Sequence, residues 1–298
     1  MPSFKLAAAL AFGAALLGYI LRDPFDEESI RGKRVIVTGA STGIGEQLAY
    51  WYSRLGARVL ITARREAVLK QVAKRCKELG AQDASYIPLD MGRLEDTKAL
   101  IHEAEKRLGG LDHLVLNHVC EPPMRLWNES DIDQLHKTMD VNFRAYVMLA
   151  TYATPMLAKS SGSIAVVSSF AGHFPLPLMQ PYSASKFALH GFFGALRHDF
   201  AFHGYDISIT DHILGSINTS NALAFSKVAF NPEIFDTPAE DAAYRIMKGT
   251  AMRERTVYFP YYVRITMLRD LFPSLLDVMV RSWVREGAID KLKTSPNS

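Results

Sequence analysis

The chain has 298 residues, 48% of them hydrophobic, which is enough for one large core and favours a single α/β domain. Its formal net charge of +3 comes from 34 basic and 31 acidic residues of interspersed sign, so it carries no nucleic-acid footprint. The two cysteines, Cys76 and Cys120, make no metal or redox spacing and read as free thiols, and no metal site is expected.

Residues 6–21, LAAALAFGAALLGYIL, are uncharged and continuously apolar, short for a spanning helix but near its lower limit. The amino terminus and Lys5 precede this run and Arg22, Asp23, Asp26, Glu27 and Glu28 follow it, and the excess positive charge before it favours a cytosolic amino terminus and a lumenal or extracellular body. Residues 1–22 therefore read as a signal-anchor. Cleavage as a signal peptide is the competing outcome, because Gly13 and Ala15 offer small residues at a suitable separation.

From Lys33 onward the pattern alternates strand and helix. Arg34 to Thr38 is a strand, and Ile44, Leu48, Trp51 or Tyr52, and Leu55 recur at helical spacing. Strands follow at 58–63, 85–89, 112–117, 162–169, 206–213 and 256–259, with helices at 66–79, 95–108, 130–157 (mostly) and 181–203 between them. This order predicts a Rossmann-type doubly wound parallel sheet with helices on both faces.

The segment TGASTGIG stands where the first strand hands over to the first helix. Gly39 permits a sharp turn, Gly43 a close approach of backbone to phosphate, and Gly45 close packing of the helix on the sheet, while the helix-start N–H groups face a pyrophosphate. Ser41, Thr42 and Ile44 complete the loop. About 20 residues further on, an acid would bind a ribose 2′-hydroxyl and an arginine a 2′-phosphate. Arg64 and Arg65 stand there, with no acid before Glu66, so NADP(H) is expected. Cations are disfavoured at helix amino termini, which argues against two idle solvated arginines.

Tyr182 and Lys186 are four apart, so on a helix phenol and ammonium share a face. A free tyrosine ionises near pH ~10. A cation at about 4 Å contributes on the order of 4 kcal/mol in an effective dielectric near 20. That predicts a phenol drawn down by roughly three units, into the range useful for proton transfer. Ser169, after the apolar run 164–167, could hold a substrate oxygen beside Tyr182.

Together these residues resemble the short-chain dehydrogenase/reductase family over roughly residues 30–260, through TGASTGIG, Ser169, Tyr182, Lys186 and Asn142 in VNF. The resemblance implies that Ser169 orients the substrate oxygen and Tyr182 is the general acid or base. It implies that Lys186 binds the nicotinamide ribose and lowers the tyrosine pKa, and that Asn142 holds a water linking the lysine to solvent. It also places Asp90 and Met91 by the adenine, and Asn117, Ile217 and Thr219 along the cofactor. Two departures stand out. Thr42 sits where many NADP-binding relatives carry a base, and Leu214 precedes Gly215 where most have proline; Gly215 is expected to keep the turn permissive. TARR, GGLDHLVLNH, GSIAVVSSFAG, YSASKFALHGFF and LGSINT, with the amino-terminal apolar segment, are similar to the 11-beta-hydroxysteroid dehydrogenase type one group and its "like" paralogue. His118 is assigned no proton-transfer role.

Phe174, Leu176, Leu178, Met179, Leu223, Phe225 and Phe230 should flank the pocket, an apolar mouth suited to a lipophilic ketone or alcohol. The resemblance suggests an 11-oxo or 11-hydroxy steroid, with retinoids and other lipid carbonyls open, and with a poorly turning-over lipid- or nucleotide-binding relative as the competing class. Residues 261–286 form an amphipathic helical segment that can pack on its own domain, pair with a second subunit as a homodimer, or lie on lipid. Residues 287–298 read as a flexible tail. The expected location is the endoplasmic reticulum membrane with a lumenal body, or secretion if the segment is cleaved. A lumenal body would make Asn128, in NES, a glycan acceptor.

Overall fold

The computed structural model describes residues 25–121, 124–220, 222–223, 237–284 and 287–293. The amino-terminal apolar run, Phe225 and Phe230 lie outside them. In chain order the main elements are β1 (Arg34–Thr38), α1 (Gly43–Arg54), β2 (Arg58–Ala63), α2 (Glu66–Glu78), β3 (Asp83–Pro88), α3 (Leu94–Leu108) and β4 (His113–Leu116). Then come α4 (Ile132–Met139), a π turn (Asp140–Arg144), α5 (Ala145–Ser160), β5 (Ser163–Val167), α6 (Gln180–Phe202) and β6 (Ser208–Leu214). The chain closes with a short pair, β7 (Ile217–Asn218) and β8 (Thr237–Pro238), then α7 (Ala239–Ala251), β9 (Thr256–Phe259), a 3-10 segment (Tyr261–Leu268), α8 (Pro273–Ser282) and α9 (Ala288–Lys293).

The seven-stranded sheet has the order β3-β2-β1-β4-β5-β6-β9, every pair parallel. Its inner strands are short runs of β-branched and apolar residues buried on both faces, as helices above and below require, while the edge strands β3 and β9 are only partly buried. Val35 and Val37 pack to one side with Leu48 of α1, Leu69 and Val72 of α2 and Ile246 of α7. Ile36, between them, packs to the other with Leu100 of α3, Leu149 of α5 and Phe193 of α6. The period of two thus feeds two cores from one strand.

The strand order reverses between β1 and β4, and a crevice opens beyond their carboxyl ends, where ligands bind in open α/β sheets. The long helix expected over 130–157 is divided: one π turn separates α4 from α5 and carries Asn142 into the interior, fully buried. At the carboxyl end, Leu276 and Val280 of α8 are buried while Leu275 is 65% exposed. The segment expected to fray from Gly287 instead forms α9, because Ala288, Ile289 and Leu292 cover Met124, Leu178 and Met179. Among the described residues no helix is long and apolar enough to cross a membrane.

Candidate active site

A cavity of about 1120 Å³ fills the crevice, and the catalytic and cofactor residues singled out from the sequence line it, except for the buried Gly45 and Asn142. The glycine loop forms one end. Gly39 has φ +68°, the left-handed region that favours glycine, and a Cβ at Gly45 would lie 2.3 Å from Gly39 O and 2.6 Å from Asn117 Nδ2. Gly45 therefore presses α1 onto the loop and the end of β4, rather than onto the body of the sheet. Thr42 caps α1 in an extended conformation with no side-chain capping bond, so the first N–H groups of the helix are left for a ligand on the cavity side.

Arg65 begins α2 and turns back over this loop, its Nη2 donating to Ser41 Oγ at 3.1 Å and Thr42 Oγ1 at 3.5 Å. Arg64 is exposed along the same wall. Two cations beside unsatisfied helix N–H groups fit a dinucleotide bearing an extra phosphate. Asp90, whose Oδ1 accepts from Gly92 N at 3.0 Å, and the buried Met91 line the wall after β3. Asn117 is tied to β1: its N donates to Thr38 Oγ1 at 2.9 Å and its Nδ2 to Thr38 O at 3.1 Å. Ile217 and Thr219 close the opposite side, Thr219 standing over Gly43, where a Cβ would approach its Cγ2 to 3.1 Å.

Ser169, Tyr182 and Lys186 meet at mid-cavity. Ser169 stands two residues past β5 and caps a short 3-10 turn, its Oγ accepting from Ala171 N at 3.1 Å. Lys186 is only 3% exposed; its Nζ donates to Val167 O at 2.9 Å and stands 5.7 Å from the centre of the Tyr182 ring and 5.5 Å from that of Tyr146. Asn142 uses its amide to hold the β4 loop: its Oδ1 accepts from Cys120 N at 2.7 Å, and its Nδ2 donates to Cys120 O at 3.0 Å and Ser185 Oγ at 3.2 Å.

The electrostatics of the pair reverse the sequence expectation. Burial pushes the Tyr182 phenol above its ordinary range, with the Ser169 hydroxyl acting the other way. Burial also pushes Lys186 down to about 7, with the nearby Glu121 carboxylate resisting. Helical spacing identified the neighbours correctly but said nothing of the water withdrawn from both, and desolvation penalises each charged form. His118 is fully enclosed and neutral: burial takes it down to about 3, its Nε2 donates to Val141 O at 3.0 Å, and its Nδ1 is left to accept from Thr38 Oγ1 at 2.9 Å.

Several wall residues escaped the sequence reading. Cys120, Glu121, Met124, Tyr262 and Trp283 line the cavity, contributed by an irregular loop and by the carboxyl-terminal elements, which carry no motif. Of the expected apolar mouth, Leu176 and Met179 line the cavity, whereas Phe174 and Leu178 turn into neighbouring hydrophobic clusters. Leu223 donates its backbone N–H to Thr219 O at 2.9 Å, outside the lining. Gly215 was expected to serve a permissive turn. Its φ is ordinary, and what it supplies is space, since a Cβ would fall 2.6 Å from the Tyr262 hydroxyl.

Comparison with known proteins agrees with this geometry. The short chain dehydrogenase family profile matches residues 33–227. The chain is 46% identical over 259 residues to hydroxysteroid 11-beta-dehydrogenase 1-like protein of Danio rerio, covering 87% of this chain and 89% of that one. It is 44% identical over 268 residues to the protein of the same name in Xenopus tropicalis, covering 90% and 93%. A crystal structure of a short chain dehydrogenase/reductase from Burkholderia phymatum in complex with NAD shares the fold with a TM-score of 0.73 at 20% identity, over 83% of this chain and 96% of that one. The chain is therefore a member of the short-chain dehydrogenase family, an oxidoreductase on a Rossmann-type sheet.

Proposed function

We propose that the protein interconverts a ketone and a secondary alcohol on a lipophilic substrate with NADP(H), an 11-oxo or 11-hydroxy steroid being the first choice and retinoid or other lipid carbonyls the next. The observation that carries this reading is one continuous cavity lined by the glycine loop with Arg64 and Arg65, by the apolar Met124, Leu176, Met179 and Trp283, and by Ser169, Tyr182 and Lys186. The names of the relatives supply the steroid class.

In this reading Gly39, Ser41, Thr42, Gly43, Ile44 and Gly45 hold the pyrophosphate, Arg64 and Arg65 the 2′-phosphate, Asp90 and Met91 the adenine side, and Asn117, Ile217 and Thr219 the nicotinamide side. The dinucleotide supplies or accepts the hydride at its nicotinamide ring. Ser169 holds the substrate oxygen, and the Tyr182 hydroxyl gives that oxygen its proton in reduction and takes it back in oxidation. Lys186 holds the ribose, and Asn142 fixes the Cys120 loop alongside.

Incubating wild type and Tyr182→Phe with NADPH and a panel of steroid, retinoid and aldehyde substrates tests this. Turnover by wild type, with a loss of at least about 100-fold in the variant, is the expected result; equal turnover by both removes Tyr182 from the mechanism. Cofactor preference is tested with Arg65→Ala, expected to weaken NADPH by about tenfold or more while leaving NADH nearly unchanged. The second reading, a binding relative with little turnover, is favoured by one observation: the phenol is raised rather than lowered.

The membrane is the proposed setting, with residues 1–22 as the anchor of a lumenal body in the endoplasmic reticulum. Exposed Tyr261, Met267, Leu271, Phe272, Leu275 and Val278 support a carboxyl-terminal contact with lipid or with a second subunit. Release of the protein by alkaline extraction would remove the anchor and leave a secreted body.

A further inference from the structure

Two side-chain bonds tie α6 to the end of β5. Lys186 Nζ donates to Val167 O, and one helical turn further on His190 Nε2 meets Ser168 Oγ, both at 2.9 Å. The next residue of the strand end is Ser169, and the preceding turn of the helix carries Tyr182. Ser168 lines the cavity but is buried, and its own N–H donates to His212 O at 2.9 Å. The surroundings are shaped to this contact. A Cβ on Gly172 would fall 2.7 Å from His190 Nε2 and 2.9 Å from Ser168 Oγ, and His173 sets its ring edge-on to His190 with centroids 4.5 Å apart. Burial holds both imidazoles neutral, His190 at about 3, so a hydrogen is available for the bond from either partner.

We propose that His190 is a positioning residue: by gripping Ser168 it sets the separation between the Ser169 hydroxyl at the end of β5 and the Tyr182 hydroxyl on α6. This rests on the reading that those two hydroxyls act on one substrate oxygen. They come from different elements, and Ser169 leads directly into a 3-10 turn rather than further strand. The last ladder pair is Val167 with His212, and the bond from Ser168 N to His212 O beyond it ties this segment to β6 and not to α6. A misplacement on the order of 1 Å in such a pair costs about 100-fold in rate. His190 lines no part of the cavity, so it acts only through Ser168.

The experiment compares His190→Phe, Ser168→Ala, the double variant and His190→Gln, whose amide reaches the place of Nε2. The expected result is a fall in kcat of about tenfold or more in either single variant with the KM for NADPH within about twofold, no further fall in the double variant, and recovery in His190→Gln. Losses that multiply in the double variant, or that track thermal stability with kcat per folded protein unchanged, overturn it. A second readout needs no turnover: the 13Cζ resonance of Tyr182, assigned by its absence in Tyr182→Phe. Displacement in His190→Phe and Ser168→Ala, reversed in His190→Gln, supports the proposal, and an unmoved resonance overturns it. Wild type that reduces no substrate yet shows the displacement counts against the oxidoreductase reading alone.

Discussion

Lys186 is the residue on which the local electrostatics turn. Burial lowers it to about 7, well under the usual lysine range, so below pH 7 the folded protein holds a buried ammonium that the unfolded chain would hydrate. The sign follows from proton binding: between about 7 and the ordinary value of ~10.4 the unfolded state binds more protons, so this group's contribution to stability rises with pH and is most unfavourable below 7. Lys186→Met should thus raise the melting temperature at pH 6 and lose that advantage by about pH 10, as measured by thermal denaturation across pH. Glu121 faces the same ammonium from the cavity wall and supports its charge. Glu121→Gln should move the alkaline limb of the pH–rate profile to lower pH, because less hydroxide is then needed to discharge the lysine. A limb that stays in place would show that the carboxylate does not reach Lys186.

At the scale of elements, α6 does two tasks that pull its sequence in different directions. Its first half carries Tyr182 and Lys186 inward, and both are held by contacts with β5 and its loop. Its second half contains Gly191 and Gly194, where an added Cβ meets nothing within 4 Å. Glycine inside a helix costs about 0.8–1 kcal/mol relative to alanine. Gly191→Ala and Gly194→Ala should each stabilise the protein by about 1 kcal/mol in urea unfolding with turnover unchanged. The glycine at the start of α1 behaves oppositely. At Gly45 the neighbours are backbone and a fixed amide, which cannot step aside, so Gly45→Ala should destabilise by about 1–3 kcal/mol and abolish dinucleotide binding measured by NADPH fluorescence.

For the whole molecule, acid stability is set by neutral histidines rather than by surface pairs. Burial lowers His113 to about 4 and His118, His190 and His212 each to about 3. His113 packs with the Tyr52 hydroxyl at 3.0 Å and His212 with Thr250 Oγ1 at 3.1 Å. Each group binds a proton in the unfolded chain near ~6.5 and in the folded protein only at much lower pH. Their stability contribution is therefore lost as pH falls from about 6.5 toward 3–4, at about 2 kcal/mol per histidine by pH 5. Asp211, raised by burial, partly offsets this loss. Four such losses compare with a net stability of about 5–15 kcal/mol, so cooperative unfolding near pH 5 is expected by circular dichroism. His212→Gln should shift that midpoint to lower pH, whereas a midpoint below pH 4 in the wild type would contradict the four-histidine account.

The local sequence determined the order of strands and helices, the glycine turn and the grouping of Ser169, Tyr182 and Lys186, because each rests on short-range rules: a period of two or 3.6, the backbone freedom of Gly39, the four-residue turn between Tyr182 and Lys186. What only the tertiary structure decided are properties set by neighbours distant in the chain. Removal of water by several elements at once raised the phenol and lowered the amine. Packing from the 3-10 segment made Gly215 a matter of space, and Met124 with Leu178 gave α9 a surface to cover. The contact of His190 with Ser168 joins residues 22 apart on a helix and a strand end, a meeting that no periodicity announces.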